Sequence, residues 1–257
     1  MAQPGRFTVT AIAGLPLFAP GMAVGAQIAS ALAGSGERLE DGDVLVIAQK
    51  IVSKAEGRLA DPQAVAPSGE ARRLAAETGR DAGMMQLILD ESSEVLRATP
   101  MAVIARHRTG HVLANAGIDA SNVEGGMALL WPVDPDASAR EIRRDLAERT
   151  GTRLGVVIAD SMGRAWRVGT LGTAIGCAGL TVLDDRRGRD ADLFGRTLQA
   201  TVIAVADAAA AAAVLAMGEG AQGTPVALVR GLGQWVSADD GPGAASGLRP
   251  AEQDMFR

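Results

Sequence analysis

Asp43-Val-Leu-Val-Ile-Ala48-Gln49-Lys50-Ile-Val-Ser-Lys54-Ala-Glu-Gly begins as an unbroken apolar run after a Gly-Asp turn and carries two lysines four residues apart. The run predicts a buried strand. A helix beginning near Gln49 then puts both amines on one face, close to its positive end. Downstream, Leu154-Gly-Val-Val-Ile-Ala159 predicts a second strand that ends at Asp160, ahead of Ser161-Met-Gly-Arg164. Strand patterns interleaved with helix patterns make the chain mixed α and β.

Residues 7–12 alternate as a strand and run into a turn at Gly14-Leu-Pro-Leu-Phe18. Helices are expected over 24–32, 69–78 and 85–96, the last amphipathic with Glu91 and Glu94 facing outward. Residues 101–106 and 111–114 read as a hairpin, and 127–131 as a further apolar run. Asp136 should open a helix over 137–150. Residues 201–217 hold a strand and an alanine-rich helix closed by Gly218, and 225–230 a final strand. No internal repeat is present. The catalytic unit is expected over 1–236, followed by a loose Gly-, Ala-, Asp- and Pro-rich tail over 237–257.

Composition narrows the function classes. With 257 residues, of which 47 % are apolar, the chain can bury a full core, yet no run approaches the ~20 apolar residues of a membrane span. The N-terminus has no basic stretch ahead of a long apolar segment, so a soluble cytoplasmic protein is expected. A net charge of −5 disfavours non-specific nucleic-acid binding. The single Cys177, in an apolar glycine-rich setting, reads as a packed thiol. His107 and His111 have no spacing that signals catalysis and read as structural.

The chemistry is concentrated in a few strings. Of 25 basic residues only Lys50 and Lys54 are lysines, in a chain that elsewhere uses arginine. Compact ammonium groups suit phosphate oxygens; the alternative is two solvated helix lysines. Asn115-Ala-Gly-Ile-Asp119-Ala-Ser-Asn122 and Asp160-Ser161 each hold an aspartate where an apolar run gives way to small polar residues. Such an oxygen-rich set suits Mg²⁺ or Mn²⁺. Met217-Gly-Glu219-Gly-Ala-Gln222-Gly-Thr224 adds a carboxylate among glycines that let backbone approach a phosphate, or is simply a helix cap and turn. Arg164 and Arg167, on one loop after Asp160, either clamp an anion or stack on Trp166 at the surface. The charged stretch 188–196 faces substrate or makes internal ion pairs. The glycines from 169 to 176 do not match a dinucleotide fingerprint.

Taken in order over residues 7–233, these strings resemble the coenzyme F-420 γ-glutamyl ligase family. The resemblance implies a two-lobed α+β architecture, dimeric, with its active groove near the subunit interface. It also implies a ligase that joins L-glutamate to the lactyl-phospho end of a deazaflavin coenzyme, using GTP and releasing GDP and phosphate. Asp119 and Asp160 would hold one divalent metal, Ser161 and Glu219 a second, with potassium as a further cation. Leu15, Pro16, Leu17, Phe18, Gln49, Lys50, Lys54, Asn122 and the loop Met217, Gly218, Glu219, Gly220, Ala221, Gln222, Gly223, Thr224 would contact the nucleotide. Lys54 would join the two aspartates in catalysis, and Arg164 and Arg167 would meet substrate. A metal-dependent phosphohydrolase or phosphotransferase is the alternative, and a non-catalytic nucleotide-binding module a third reading.

Overall fold

The computed structural model describes residues 5–121 and 125–254. In chain order the elements are β1 (Thr8–Ala11), α1 (Val24–Ser35), β2 (Val44–Ala48), α2 (Gln49–Ala55), β3 (Leu59–Ala60), α3 (Gly69–Thr78), α4 (Ala82–Asp90), β4 (Ser92–Ala98), β5 (Val103–His107), β6 (Val112–Ala114), β7 (Ala128–Leu129), α5 (Pro135–Thr150), β8 (Gly155–Arg164), β9 (Arg167–Ala178), β10 (Leu183–Asp185), β11 (Val202–Ala204), α6 (Val205–Met217) and β12 (Val226–Arg230). The architecture is mixed α/β, as expected. A five-stranded sheet in the order β1-β12-β2-β8-β9 forms its centre. Only β2 and β8 pair in parallel, Val44 opposite Gly155 through Ala48 opposite Ala159. Their polar C-terminal ends therefore emerge side by side, which brings Gln49 and Asp160 to one edge.

Successive strand residues face opposite sides, so both faces of β2 and β8 can be apolar. Leu45, Ile47, Val156 and Ile158 pack toward α1 and α5. Val44, Val46, Val157 and Ala159 pack toward α6. The alanines of α6 let it lie close: a Cβ at Gly172 of β9 would sit 2.4 Å from the Ala210 carbonyl oxygen. A third, smaller core joins α3 and α4 to the three-stranded sheet β4-β5-β6.

Four expectations change. The helix expected over 85–96 is α4 followed directly by β4, and Glu91 between them is buried, not outward. The carboxylate of Glu91 accepts from Arg58 Nη2 and Arg108 Nη2, both at 2.8 Å, and these bonds hold the chain at the turn. Asp134, not Asp136, caps α5 by accepting from Ala137 N. Asp136 instead accepts from the backbone N–H of Cys177 and Ala244, which ties the C-terminal stretch to β9. That stretch is consequently not a loose tail through residue 254: Arg143 also binds the Ser237 and Ala238 carbonyls and the Asp240 carboxylate. Finally, β8 does not stop at Asp160 but runs on to Arg164 and returns as β9 in a long antiparallel hairpin.

Candidate active site

The two strand ends, the turn before Pro225 and residues 15–18 enclose one groove of about 770 Å³. Each wall has a local cause. After β2 the chain turns straight into α2, whose first residue Gln49 is buried and donates from Nε2 to Ser53 Oγ at 2.8 Å. Lys50 and Lys54 both line the groove. With α2 only seven residues long, Lys54 lies in its last turn, so the expectation that both amines sit near the positive end holds for Lys50 alone. Lys50 Nζ donates to Asp119 Oδ2 at 2.7 Å and to Ser121 Oγ at 2.6 Å.

Asp119 is delivered by an unusual piece of backbone. Asn115, Ala116 and Gly117 take φ of 54°, 51° and 74°, three successive left-handed residues. The turn is held where Asn115 Oδ1 accepts from Arg80 Nη1 at 2.7 Å and by Ala116, which is fully buried. Two backbone bonds to Leu129 then fix Asp119 itself. Burial would raise its carboxyl, but the Lys50 ammonium and the N–H of Ser121 outweigh burial and hold it below the usual carboxylate range.

Asp160 sits deeper, at the groove floor. Its Oδ2 accepts from Trp131 Nε1 at 2.9 Å and its Oδ1 from the Ser161 N–H at 2.8 Å. Burial dominates here and, with the nearby Asp119 charge, pushes its carboxyl up to about 6. Ser161 Oγ donates to Glu219 Oε1, which links β8 to the glycine-rich loop after α6. In that loop Gly218 and Gly223 take φ of 77° and 70°, a conformation glycine adopts without strain. Thr224 Oγ1 closes the loop onto the Met217 carbonyl at 2.8 Å.

Most residues predicted from sequence therefore meet. Leu15, Pro16, Leu17, Phe18, Gln49, Lys50, Lys54, Asp119, Asp160, Ser161, Met217, Gly218, Glu219, Gly220, Ala221, Gly223 and Thr224 all line the groove. Gln222 does not: its side chain turns back to accept from the Gly220 N–H at 2.8 Å and braces the loop. Arg164 and Arg167 do not either. They flank the tip of the β8–β9 hairpin, both exposed, with Arg164 donating to the Gly169 carbonyl. Asn122 lies outside the described residues. The stretch 188–196 is occupied with ion pairs, Arg186 to Asp190 and Arg196 to Asp192 among them.

Three Asp or Glu side chains share the groove, yet among the described residues no three His, Cys, Asp or Glu are gathered tightly enough to enclose a metal. The donors are oxygen throughout, Asp119 and Asp160 as one pair and Ser161 and Glu219 as another. That chemistry fits a hard divalent cation and offers nothing to a soft one. His107 and His111 are buried away from the groove, and burial lowers His111 to about 4, so it is neutral. Burial likewise raises the Cys177 thiol to about 12, which leaves it an inert packed group.

Two contributors were not anticipated: Ser121, which steadies both Lys50 and Asp119, and Trp131, which holds Asp160. The signal for Trp131 was present. A tryptophan closing a buried apolar run needs a partner for its indole N–H, although the sequence does not name that partner.

Comparison with known proteins gives the family of the chain. The family model for F420-0:Gamma-glutamyl ligase matches residues 14–231. The Coenzyme F420:L-glutamate ligase of Methanothermobacter thermautotrophicus is 46 % identical over 246 residues, 96 % of this chain and 97 % of that protein. The protein of the same name from Methanopyrus kandleri is 45 % identical over 234 residues, 91 % and 92 % of the two chains. That from Archaeoglobus fulgidus is 46 % identical over 227 residues, 88 % of each. The match runs through every segment that lines the groove, and the chain belongs to the F420-0:gamma-glutamyl ligase family.

Proposed function

We propose that this chain is a ligase that adds L-glutamate to the lactyl-phospho end of the unglutamylated deazaflavin coenzyme F-420, with GTP as the energy source. The supporting observation is that one groove in a chain of this family gathers two lysines, three carboxylates and a glycine-rich loop. A carboxylate is a poor electrophile, so amide formation needs it activated, most simply as an acyl phosphate. Phosphoryl transfer is chiefly a matter of placing phosphate and neutralising its charge. Lys54, with Lys50, would meet the nucleotide phosphates, and the loop from Met217 to Thr224 would let backbone approach them. Asp119 and Asp160 would hold one divalent cation and Ser161 with Glu219 another; bound there, such ions supply charge neutralisation for the transferred group. The amine of glutamate then attacks the acyl carbon, the amide bond forms, and phosphate leaves, with GDP as the other product.

The test is incubation with unglutamylated coenzyme, GTP, Mn²⁺ and L-glutamate, followed by mass measurement of the product. A gain of one or more glutamyl residues is expected. Release of phosphate from GTP should require both coenzyme and glutamate; release without them would make the chain a phosphohydrolase instead.

A further inference from the structure

Asp119 and Asp160 reach the groove from different cores, and one side chain touches the support of both. Trp131 follows β7 and is fully buried. Its indole N–H is the donor to Asp160 Oδ2. On the Asp119 side, Gly117 lies against the same ring: a Cβ there would come within 2.4 Å of indole Nε1 and Cε2. Leu129, two residues before Trp131, carries the two backbone bonds that fix Asp119. The strand segment thus holds Asp119 by its backbone and Asp160 by its indole.

The ring is itself clamped. His107 lies 4.8 Å away, centroid to centroid, and His111 meets it edge-on at 5.4 Å. Thr109 Oγ1 bonds Nδ1 of both histidines at 2.9 Å, so the two rings are locked as a pair. Behind His107 stands Glu91, 3.4 Å from its Nε2. Arg58 Nε donates to the Trp131 carbonyl at 2.8 Å and anchors the backbone. The ring thus has two histidines and Gly117 against it, an anchored backbone, and its one polar atom on Asp160.

We propose that Trp131 is a positioning residue for the ligase reaction: it sets the Asp160 carboxylate relative to Asp119, so that the two present a single oxygen pocket to a divalent cation. Because Ser161 N–H holds the other Asp160 oxygen, the carboxylate plane is fixed at both ends. Each oxygen retains a free lone pair for the groove. Outer partners of this kind change metal affinity without touching the metal. The proposal rests on the reading of the groove given above.

Trp131→Phe keeps an aromatic ring and removes the N–H. Mn²⁺ binding, read from the free-ion signal in electron paramagnetic resonance, should weaken about 10- to 100-fold. KM for coenzyme and for glutamate, measured at saturating Mn²⁺, should stay within about twofold. Should the variant fail to fold, wild-type protein labelled with 5-fluorotryptophan carries the test. Its three tryptophans give three ¹⁹F resonances, assigned with Trp166→Phe and Trp235→Phe. The Trp131 resonance should move as Mg²⁺ saturates the protein, and Asp160→Asn should abolish that movement. A variant that binds Mn²⁺ like wild type, or a Trp131 resonance that stays put while Mg²⁺ binds, overturns the inference alone. Wild-type protein that binds neither ion overturns the reading of the groove as well.

Discussion

Asp119 and Asp160 face the same groove from opposite kinds of structure. Asp160 belongs to β8, whose place is set by parallel pairing with β2 and by a core on each face. Asp119 follows three left-handed residues and is fixed by a two-residue bridge to Leu129. Their electrostatics differ in the same sense. Asp119 already has a counter-charge in Lys50 and is held below the usual carboxylate range, whereas burial raises Asp160 to about 6 and hydrogen bonds only partly offset it. A cation entering the groove would relieve Asp160 more than Asp119. The regular half of the site stores the unfavourable charge, and the irregular half is already neutralised.

Removing the stored charge should have the largest effect. Asp160→Asn should lower ligation by roughly two orders of magnitude or more, since a lost metal ligand also loses its charge stabilisation. Stability should respond differently. The folded value near 6 lies above the ordinary 3.8, so ionised Asp160 costs stability above pH 6. That cost fades as pH falls from about 6 toward 4. One unit is about 1.4 kcal/mol, and the group still reaches the groove, so roughly 1–2 kcal/mol is at stake. Asparagine can accept from only one of Trp131 and Ser161, which costs about 1 kcal/mol. Metal-free variant should therefore melt within a few degrees of wild type at pH 7.5 and below it at pH 5. A variant that keeps turnover within a few-fold at saturating Mn²⁺ would remove Asp160 from the site.

Glu91 tests whether the Asp160 half leans on the small core. It is buried and serves Arg58, Arg108 and His107 together. Burial alone would raise its carboxyl, but His107, Arg58 and Arg108 outweigh it and hold it below 4.5. Its contribution is therefore present above the ordinary glutamate range and lost as pH falls below about 4.5. Glu91→Gln leaves two guanidinium groups without their carboxylate and should cost about 3 kcal/mol in chemical denaturation. At temperatures where the variant is folded, a fall in Mn²⁺ affinity would tie the small core to Asp160; unchanged affinity would confine Glu91 to stability.

The two lysines separate the halves more finely. Lys54→Ala should weaken GTP binding by about 1.5–3 kcal/mol, the worth of a charge-assisted contact, and slow phosphoryl transfer. Lys50→Ala should in addition act on Asp119, raising its carboxyl toward the ordinary value because its ammonium is gone. Isothermal titration with GTP and a pH–rate profile distinguish the two. Identical behaviour of both variants would mean that neither lysine is specific to its half.

How much of this was legible from sequence follows the same division. Apolar runs that end on polar residues announce themselves, so β2, β8 as far as Asp160 and the chemistry at those two points were readable. What lay hidden depends on partners distant in the chain. The pattern from Met85 to Leu96 looks helical throughout; only Arg58, 33 residues before Glu91, and Arg108, 17 after it, explain the turn. The glycines of β9 were read only as failing a dinucleotide fingerprint, whereas Gly172 and Gly176 are required by the Ala210 and Pro135 carbonyls pressed against the sheet. Trp131 was missed for the same reason: its acceptor is 29 residues on.

The smallest effect is expected where sequence proximity misled. Arg164 and Arg167 follow Asp160 closely in the chain, and a loop there would turn them into the groove. β8 instead continues past Asp160, and the extended strand carries both arginines to an exposed tip around Trp166, which is 86 % exposed with φ of 63°. Exposed side chains away from a site change free energies by about 0.5 kcal/mol or less, roughly twofold in a constant. Arg164→Lys and Arg167→Lys should therefore leave GTP affinity and kcat within about twofold of wild type. The measurement is a GTP-binding isotherm with separate titrations of coenzyme and glutamate. A clear rise in KM for either acceptor, with GTP affinity unchanged, would show that the tip meets substrate during turnover, and the contrast would then run between the groove floor and its moving rim.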